Sequence, residues 1–164
     1  MSNMQPFFGR KEYRIDSKGR ISLSSDYFSL LELQDKNTVV VAQNSNESHR
    51  FLEVFSQNQW NEQLKVIDCM EDDEDKEWLM YNYVGTAISV ELDTQNRIRL
   101  PKSLIDYAKI GQDVVFIGAI KTLRIWSKSE LADFESSQKH DRESIRTKMN
   151  AARKLYSSEK SGEK

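Results

Sequence analysis

The chain has little cysteine, little histidine and no long apolar run. Its single cysteine, Cys69, cannot form an internal disulfide, which excludes a disulfide-based scaffold and fits a reducing cytoplasm. No apolar run approaches the length of a membrane-spanning helix, and the N-terminal residues lack the apolar region of a signal peptide. We therefore expect a soluble, intracellular protein that does not bind a membrane.

The scarcity of histidine argues against an enzyme. The two histidines, His49 and His140, lie in a polar loop and on a predicted surface helix. With a single cysteine, the chain shows no metal-ligand spacing and no pairing of a nucleophile with a base. It also lacks a glycine-rich loop that could cradle phosphate. We therefore expect no catalytic residue, metal, cofactor or small-molecule substrate.

A strong net charge is missing as well, since 24 lysines and arginines nearly balance 26 aspartates and glutamates. This balance indicates no partner by itself, so any contact with nucleic acid has to come from a local patch. Apolar residues make up 38% of the 164 residues and charged residues 30%. This composition predicts one ordinary domain, or two small ones that share a modest core.

One short motif occurs twice in the chain. The stretch DSKGR begins at Asp16 and the stretch DTQNR begins at Asp93, an offset of 77 residues. Further along, LEVFSQNQW from Leu52 aligns with LRIWSKSEL from Leu123 at an offset of 71, because the first copy carries a longer polar loop. Two diverged copies of a unit of roughly 45–55 residues account for both alignments.

Each copy has the same order of predicted elements: a hairpin around the motif, a short helix, an apolar strand and a further strand. The short helices fall on SSDYFSLL and on PKSLIDYA. Both copies end at a helix start with capping-box spacing, Ser56 with Gln59 and Ser127 with Glu130. The predicted segments are a first unit (6–55), a helical connection (56–84), a second unit (85–126) and a helical, basic tail (127–164). We expect a break in the helical connection near residues 70–75. We also expect the last residues of the tail, SSEKSGEK, to be disordered.

The bend inside each motif calls for a residue at positive φ, which glycine adopts without steric cost. Gly19 takes this position in the first copy. Asn96 takes it in the second copy, since asparagine is the non-glycine residue most at home in that conformation. Asp16 and Asp93 are placed to accept backbone N–H bonds inside the turns. We predict that these four residues hold the two bends.

Strand alternation turns the basic residues of the motifs outward. If Ile21 and Leu23 point inward, Arg20 points outward, and Arg97 and Arg99 do so in the second copy. A two-stranded ribbon fits the DNA major groove, where arginine reaches guanine edges and lysine meets phosphate. The first hairpin has the cleaner basic face, so we expect it to contribute most of the binding. The candidate DNA-binding residues are Arg10, Arg14, Lys18, Arg20, Arg97 and Arg99.

A structural interpretation of the same motif competes with this one. Aspartate and arginine four residues apart across a turn can pair with each other and stabilise the bend, by less than about 1 kcal/mol when exposed. Judged from spacing alone, this structural interpretation is slightly favoured over DNA binding, because one basic hairpin is a weak indicator of nucleic-acid binding.

The stretches FFGRKEYRIDSKGRISLS, DTQNRIRLP and VFIGAIKTLRIWSKSEL resemble the MraZ transcriptional regulators, over the chain from Phe8 to about Leu131. The Asp-x-x-x-Arg pattern, used twice, is the specific part of the resemblance. It implies an α+β fold in which two tandem AbrB-like swapped-hairpin units form a pseudo-two-fold β-barrel-like core, joined and followed by helices.

The resemblance also implies a function. Such a protein is a cytoplasmic, nucleoid-associated regulator of a division and cell-wall gene cluster, and it binds promoter direct repeats in double-stranded DNA as a homo-oligomeric ring. The DNA-contact motif carries over to Asp16, Lys18 and Arg20, and to Asp93 and Arg97. Gln95 and Asn96 stand where the fuller motif has lysine and glycine.

A second function stays open beside this one, an oligomeric protein-interaction module or antitoxin-like scaffold whose DNA binding is secondary. The basic tail carries Ile145, Met149 and Tyr156 on one helical stripe. Such a stripe can dock a partner protein or pack on its own domain.

Overall fold

The computed structural model describes residues 6–25, 27, 37–44 and 48–162. The chain divides into two compact units, residues 1–133 and residues 134–164. The described part contains eight strands and five α-helices, with a short 3-10 helix at Val84–Thr86. In chain order these are β1 (Arg10–Arg14), β2 (Arg20–Ser22), β3 (Thr38–Gln43), β4 (Leu52–Ser56), α1 (Gln57–Asp68), α2 (Glu74–Asn82), β5 (Ile88–Glu91), β6 (Arg97–Arg99), α3 (Lys102–Tyr107), β7 (Asp113–Ala119), β8 (Thr122–Ser127), α4 (Lys128–Ser137) and α5 (Arg142–Gly162).

The strands form one six-stranded sheet and one two-stranded sheet, both antiparallel. The order in the large sheet is β1-β7-β8-β4-β3-β5, and the small sheet consists of β2 and β6. Together with the helices, these sheets confirm the predicted α+β class. Each copy places its first strand beside a strand of the other copy, because β1 pairs with β7 and β5 pairs with β3. The two copies therefore share a single large sheet.

The prediction that the two strands flanking each bend pair with each other as a hairpin is wrong, because each strand pairs with a strand of the other copy. β1 runs along β7, whereas β2 pairs with β6 of the other copy. The bend itself is closed by a backbone hydrogen bond of 3.0 Å, which the Asp16 N–H donates to the carbonyl of Arg20. An isolated two-stranded hairpin is marginally stable in water, and the exchange joins the outer strands to a larger sheet.

Alternation along the strands gives the large sheet two apolar faces. On one face, Val39 of β3 belongs to the same buried cluster as Ile21 and Ile98 of the small sheet. On the opposite face, Val40 belongs to a second cluster with Trp60 of α1. Burial of a large apolar side chain of this kind stabilises the fold by about 1.5–3 kcal/mol. The small sheet and α1 therefore cover opposite faces of the large sheet.

The helix start at Ser56 confirms the predicted capping box. The Ser56 Oγ accepts from the Gln59 N–H at 3.2 Å, and the Gln59 Oε1 accepts from the Ser56 N–H at 2.8 Å. The matching residues of the second copy make other contacts. The Glu130 carboxylate accepts from the Lys109 Nζ at 2.9 Å, and the Ser127 Oγ lies 2.9 Å from the hydroxyl of Ser129.

The break between α1 and α2 confirms the prediction of two helices in the connection. Asp73 caps α2, because its carboxylate accepts from the N–H groups of Asp75 and Lys76 at 3.1 and 3.0 Å. Acidic side chains in a first turn interact favourably with the helix dipole. The acidic run therefore has a local structural role at this helix start.

The helix predicted over residues 24–31 lies mostly outside the described residues, and its counterpart in the second copy is α3. At the other end, α5 continues to residue 162, where disorder is predicted from Ser157 onwards. No proline or glycine interrupts the helix before that point, and the Ser157 hydroxyl donates to the Arg153 carbonyl at 2.9 Å. None of the described helices combines the length and the apolar content that a bilayer crossing requires.

Candidate nucleic-acid interface

The two motifs meet in the small sheet, which we call the ribbon (β2 and β6). Arg20 lies opposite Arg99, Ile21 opposite Ile98, and Ser22 opposite Arg97. Ile21 and Ile98 are buried, with 0% and 1% of their surface exposed. Because neighbouring side chains on a strand point to opposite faces, the residues on either side of the two isoleucines share the outer face. That face presents Arg20, Ser22, Arg97 and Arg99.

The turns of the two motifs lie at opposite ends of the ribbon. At one end the Leu100 N–H donates to the Gly19 carbonyl at 2.8 Å, and at the other end the Leu23 N–H donates to the Asn96 carbonyl at 3.0 Å. Each turn therefore extends the strand of the other copy by one hydrogen bond. The exposed residue Lys18 lies in the turn at the first end, and Gln95 takes its place at the second.

The aspartates hold both turns by the same contacts. The Asp16 Oδ1 accepts from the N–H groups of Lys18 and Arg20 at 2.8 and 2.9 Å. The Asp93 Oδ1 accepts from the N–H groups of Gln95 and Arg97 at 2.9 and 3.0 Å. Since the second oxygen of each carboxylate is still available, each aspartate can also bind a side chain.

That second oxygen binds the arginine of the motif. The Nε of Arg20 donates to the Asp16 Oδ2 at 2.7 Å, and the Nε of Arg97 donates to the Asp93 Oδ2 at 2.7 Å. The pairing expected from the structural interpretation is therefore present in both copies. It engages Nε, and a guanidinium carries two further amino groups that donate hydrogen bonds. An arginine oriented in this way keeps donors for another acceptor, and the two side chains are 29% and 26% exposed.

The contacts of the two carboxylates also set their ionisation. Hydrogen bonds from the Arg20 backbone lower the pKa of Asp16, and the Arg20 side chain and the Lys18 backbone lower it further. For Asp93, partial desolvation acts to raise the pKa, but hydrogen bonds from Arg97 and Gln95 outweigh it and the pKa lies below its ordinary value. Both aspartates are therefore ionised near neutral pH, which maintains both ion pairs.

The backbone of each bend passes through the left-handed region. The angle φ is +75° at Gly19 and +57° at Asn96. At Gly19 the space is also restricted, because a Cβ atom there would lie 2.8 Å from the carbonyl oxygen of Leu100.

Replacing Gly19 with alanine is expected to destabilise the protein by about 1–3 kcal/mol, because the new methyl group meets both a strained φ and the Leu100 carbonyl. Urea unfolding followed by circular dichroism measures this difference. Gly111→Ala is the matched control, since nothing lies within 4 Å of a Cβ atom at that position. Equal stability of the two variants would contradict this description of the bend.

The remaining candidates on β1 lie in the large sheet. Arg14 has an exposed side chain, and its Nε contacts the Asp113 carboxylate at 3.2 Å. Arg10 lies opposite Ile117 at the other end of β1, roughly 13 Å along the strand from Arg14. The structure therefore brings Arg20, Arg97 and Arg99 together on the ribbon, with Lys18 beside them, and does not bring Arg10 to the same surface.

Sequence reasoning missed the pairing of β2 with β6. It treated Arg20 and Arg99 as members of two separate hairpins, whereas they are cross-strand neighbours. No signal in the sequence indicates this pairing, because the alternation of side chains along a strand is the same whichever strand lies beside it. Within the described residues, no group of three or more histidine, cysteine, aspartate or glutamate side chains is arranged to hold a metal ion.

The fold and the site define a two-copy α+β protein whose copies jointly build an arginine-bearing ribbon. A family model described as "MraZ protein, putative antitoxin-like" matches the chain twice, at residues 7–79 and 84–153. The double match confirms the prediction of two tandem copies.

Curated relatives carry the same family name. The chain is 30% identical to the transcriptional regulator MraZ of Phocaeicola vulgatus over 129 residues, which cover 77% of this chain and 82% of that protein. It is also 30% identical to the regulators of the same name from an Anaeromyxobacter species, over 75% of this chain and 84% of that protein, and from Caldanaerobacter subterraneus, over 79% and 86%. The chain belongs to the MraZ family, a family of bacterial transcriptional regulators and not of enzymes.

Proposed function

We propose that the chain is a sequence-specific DNA-binding regulator of transcription that contacts double-stranded DNA through the ribbon. The observation that carries this proposal is the outer face of the ribbon, where Arg20, Arg97 and Arg99 lie together above the buried Ile21 and Ile98. The major groove of B-DNA is about 12 Å wide and admits a two-stranded ribbon. Arginine there bonds guanine O6 and N7, and Lys18 in the adjoining turn meets phosphate.

The exchange of first strands supports assignment to the AbrB-like swapped-hairpin fold. β1 crosses to β7, β5 crosses to β3, and the two second strands pair with each other. In the proposed arrangement the two units form a pseudo-two-fold, β-barrel-like core with the DNA-binding ribbon on its surface. Both copies are then needed for one complete binding surface.

The proposed assembly is a homo-oligomeric ring that engages direct repeats upstream of the chain's own gene, in a division and cell-wall gene cluster. Its place of action is the nucleoid, in the cytoplasm. Each ribbon offers few base contacts, and linked ribbons raise the effective concentration for the next repeat, so that weak individual binding gives high avidity. Light scattering of the purified protein tests the ring, and a mass equal to one chain would contradict it.

The salt dependence of binding tests the proposed DNA contact. Phosphate contacts release counterions, so the logarithm of the affinity for the upstream duplex is expected to fall linearly with the logarithm of the salt concentration, with a slope of about −0.9 per phosphate neutralised. Fluorescence anisotropy between low and physiological salt measures the slope, with a duplex of scrambled sequence as the control. A flat dependence, or equal affinity for both duplexes, would contradict sequence-specific binding through a basic surface.

One observation favours a second candidate function, a protein-interaction module. Helix α5 exposes Ile145, Met149, Leu155 and Tyr156, with 45–66% of their surfaces accessible. Apolar residues at this spacing are typical of a helix that docks in a groove. A protein that forms rings and binds no DNA in the anisotropy titration would support this candidate over the first.

A further inference from the structure

We propose that the ribbon binds DNA in one fixed orientation, anchored by the end that carries Lys18, Arg20 and Arg99. This inference rests on the proposed function and adds the polarity of the interface to it. It also assigns Arg99 to the contact surface of the first motif, although Arg99 belongs to the second copy.

The backbone of the ribbon is nearly two-fold symmetric. The register places Ile21 opposite Ile98, and a two-fold operation at this pair exchanges Arg20 with Arg97 and Ser22 with Arg99. The hydrogen bonds of the turns repeat under the same operation, with the Asp16 and Asp93 contacts equal within 0.1 Å. DNA also has local two-fold axes, so a ribbon with equivalent side chains at its ends would bind in either direction equally well.

The side chains break this symmetry in charge. We define the basic end by Lys18, Arg20 and Arg99, and the neutral end by the equivalent residues Gln95, Arg97 and Ser22. The first set carries three positive charges, whereas the second carries one. The antiparallel pairing of β2 and β6 causes this concentration, because it moves Arg99 to the end occupied by the first motif.

The pairing of β2 with β6 places two like charges, Arg20 and Arg99, directly opposite each other. Like charges directly opposite each other on one face of a sheet destabilise it. The contact between Arg20 and Asp16 offsets part of this repulsion, and the exposed Arg99 adds a second cation beside it. At the neutral end the corresponding pair is Ser22 with Arg97, which carries no repulsion. A DNA phosphate, or the acceptor atoms O6 and N7 of a guanine, relieves the repulsion at the basic end only.

Fixed orientation has a direct consequence for the DNA site. A symmetric ribbon suits an inverted repeat, whereas a polar ribbon suits sites that all run in the same direction. Lys18 and Arg99 supply the difference between the two ends that sets this direction.

Site-directed DNA cleavage tests the orientation. Ser17 and Thr94 are equivalent, exposed turn residues at opposite ends of the ribbon, and each is replaced by cysteine in a Cys69→Ser background, because Cys69 is exposed. An iron chelate attached to the new cysteine cleaves nearby DNA in a labelled duplex from the upstream region. The expected result is that the two positions cleave on opposite sides of each bound site. Identical cleavage patterns from both positions would overturn the proposal.

An exchange of the polar residues tests their role. The variant with Lys18→Gln, Ser22→Arg, Gln95→Lys and Arg99→Ser keeps the net charge and moves the cations to the other end. It is expected to interchange the two cleavage patterns. An unchanged pattern, in a variant whose melting temperature shows that it is folded, would overturn the assignment of Lys18 and Arg99.

A pair of single variants gives a second readout. Arg99→Ser is expected to weaken binding to the upstream duplex about fivefold or more, while thermal stability stays equal or rises as the repulsion with Arg20 is removed. Ser22→Arg, the equivalent exchange at the neutral end, is expected to leave binding unchanged or strengthened. Loss of stability in Arg99→Ser with unchanged binding would overturn the proposal. If the wild-type chain binds no duplex at all, the proposed DNA-binding function is wrong. If the wild-type chain binds the duplex but the variants show no difference between the two ends, only the proposed polarity is wrong.

Discussion

Replacing Arg20 with alanine is expected to weaken binding to the upstream duplex by about 5- to 150-fold, the effect of losing one good arginine–guanine pair. Arg20 is suited to this contact because Asp16 fixes its guanidinium through Nε at 2.7 Å. An arginine that is already oriented loses less conformational entropy when it binds a base edge. Anisotropy titration at one fixed salt concentration measures the loss.

Two comparisons separate this effect from a general loss of charge or stability. Lys65→Ala removes a cation from α1, which covers the opposite face of the large sheet from the ribbon, and is expected to leave the affinity unchanged. An ion pair that is open to solvent contributes little to stability, so Arg20→Ala is expected to remain folded. Unchanged binding by a folded, normally assembled Arg20→Ala protein would show that the motif serves only to hold the bend.

Replacing Ile98 with alanine is expected to lower the free energy of unfolding by about 2–5 kcal/mol, because the side chain is 1% exposed and its removal leaves a cavity under the ribbon. The two-fold relation of the ribbon adds a second expectation. Ile21→Ala, at the opposite position, is expected to cost a similar amount, since Ile21 is 0% exposed in the same cluster. Urea unfolding measures both values.

The control for these two variants is Ile145→Ala on α5. Its side chain is 45% exposed, so the same truncation there is expected to cost less than about 1 kcal/mol. A cost at Ile98 no larger than at Ile145 would mean that the ribbon does not pack on the large sheet.

The local chemistry of the motifs was accessible from the sequence. Each motif spans only five residues of chain. Within it lie both the residue at positive φ, Gly19 or Asn96, and the aspartate that accepts the N–H bonds of the turn. Local geometry of this kind depends on a few residue types with known preferences. The capping box at Ser56 is predictable for the same reason.

The partners of the strands were not accessible in the same way. Alternation along β2 indicates which side chains point inward, but it is identical for any neighbouring strand. Pairing of β2 with β6 connects Arg20 with Arg99 across 79 residues of chain, and no local pattern specifies that distance. The charge polarity of the ribbon follows from this pairing. Without knowledge of the pairing, the sequence alone assigns Arg20 and Arg99 to two separate hairpins.

Footprinting of the DNA upstream of the chain's own gene tests the central claim most directly. Hydroxyl-radical cleavage is measured with the wild-type chain and with a variant that carries both Arg20→Ala and Arg97→Ala. The conditions are chosen so that the wild-type chain and the variant are both folded. We expect short protected segments repeated in one direction with the wild-type chain, and loss of that protection with the variant. Absence of protection with the wild-type chain, or the same protection with the variant, would contradict the claim that the ribbon of the two copies is the DNA-binding surface.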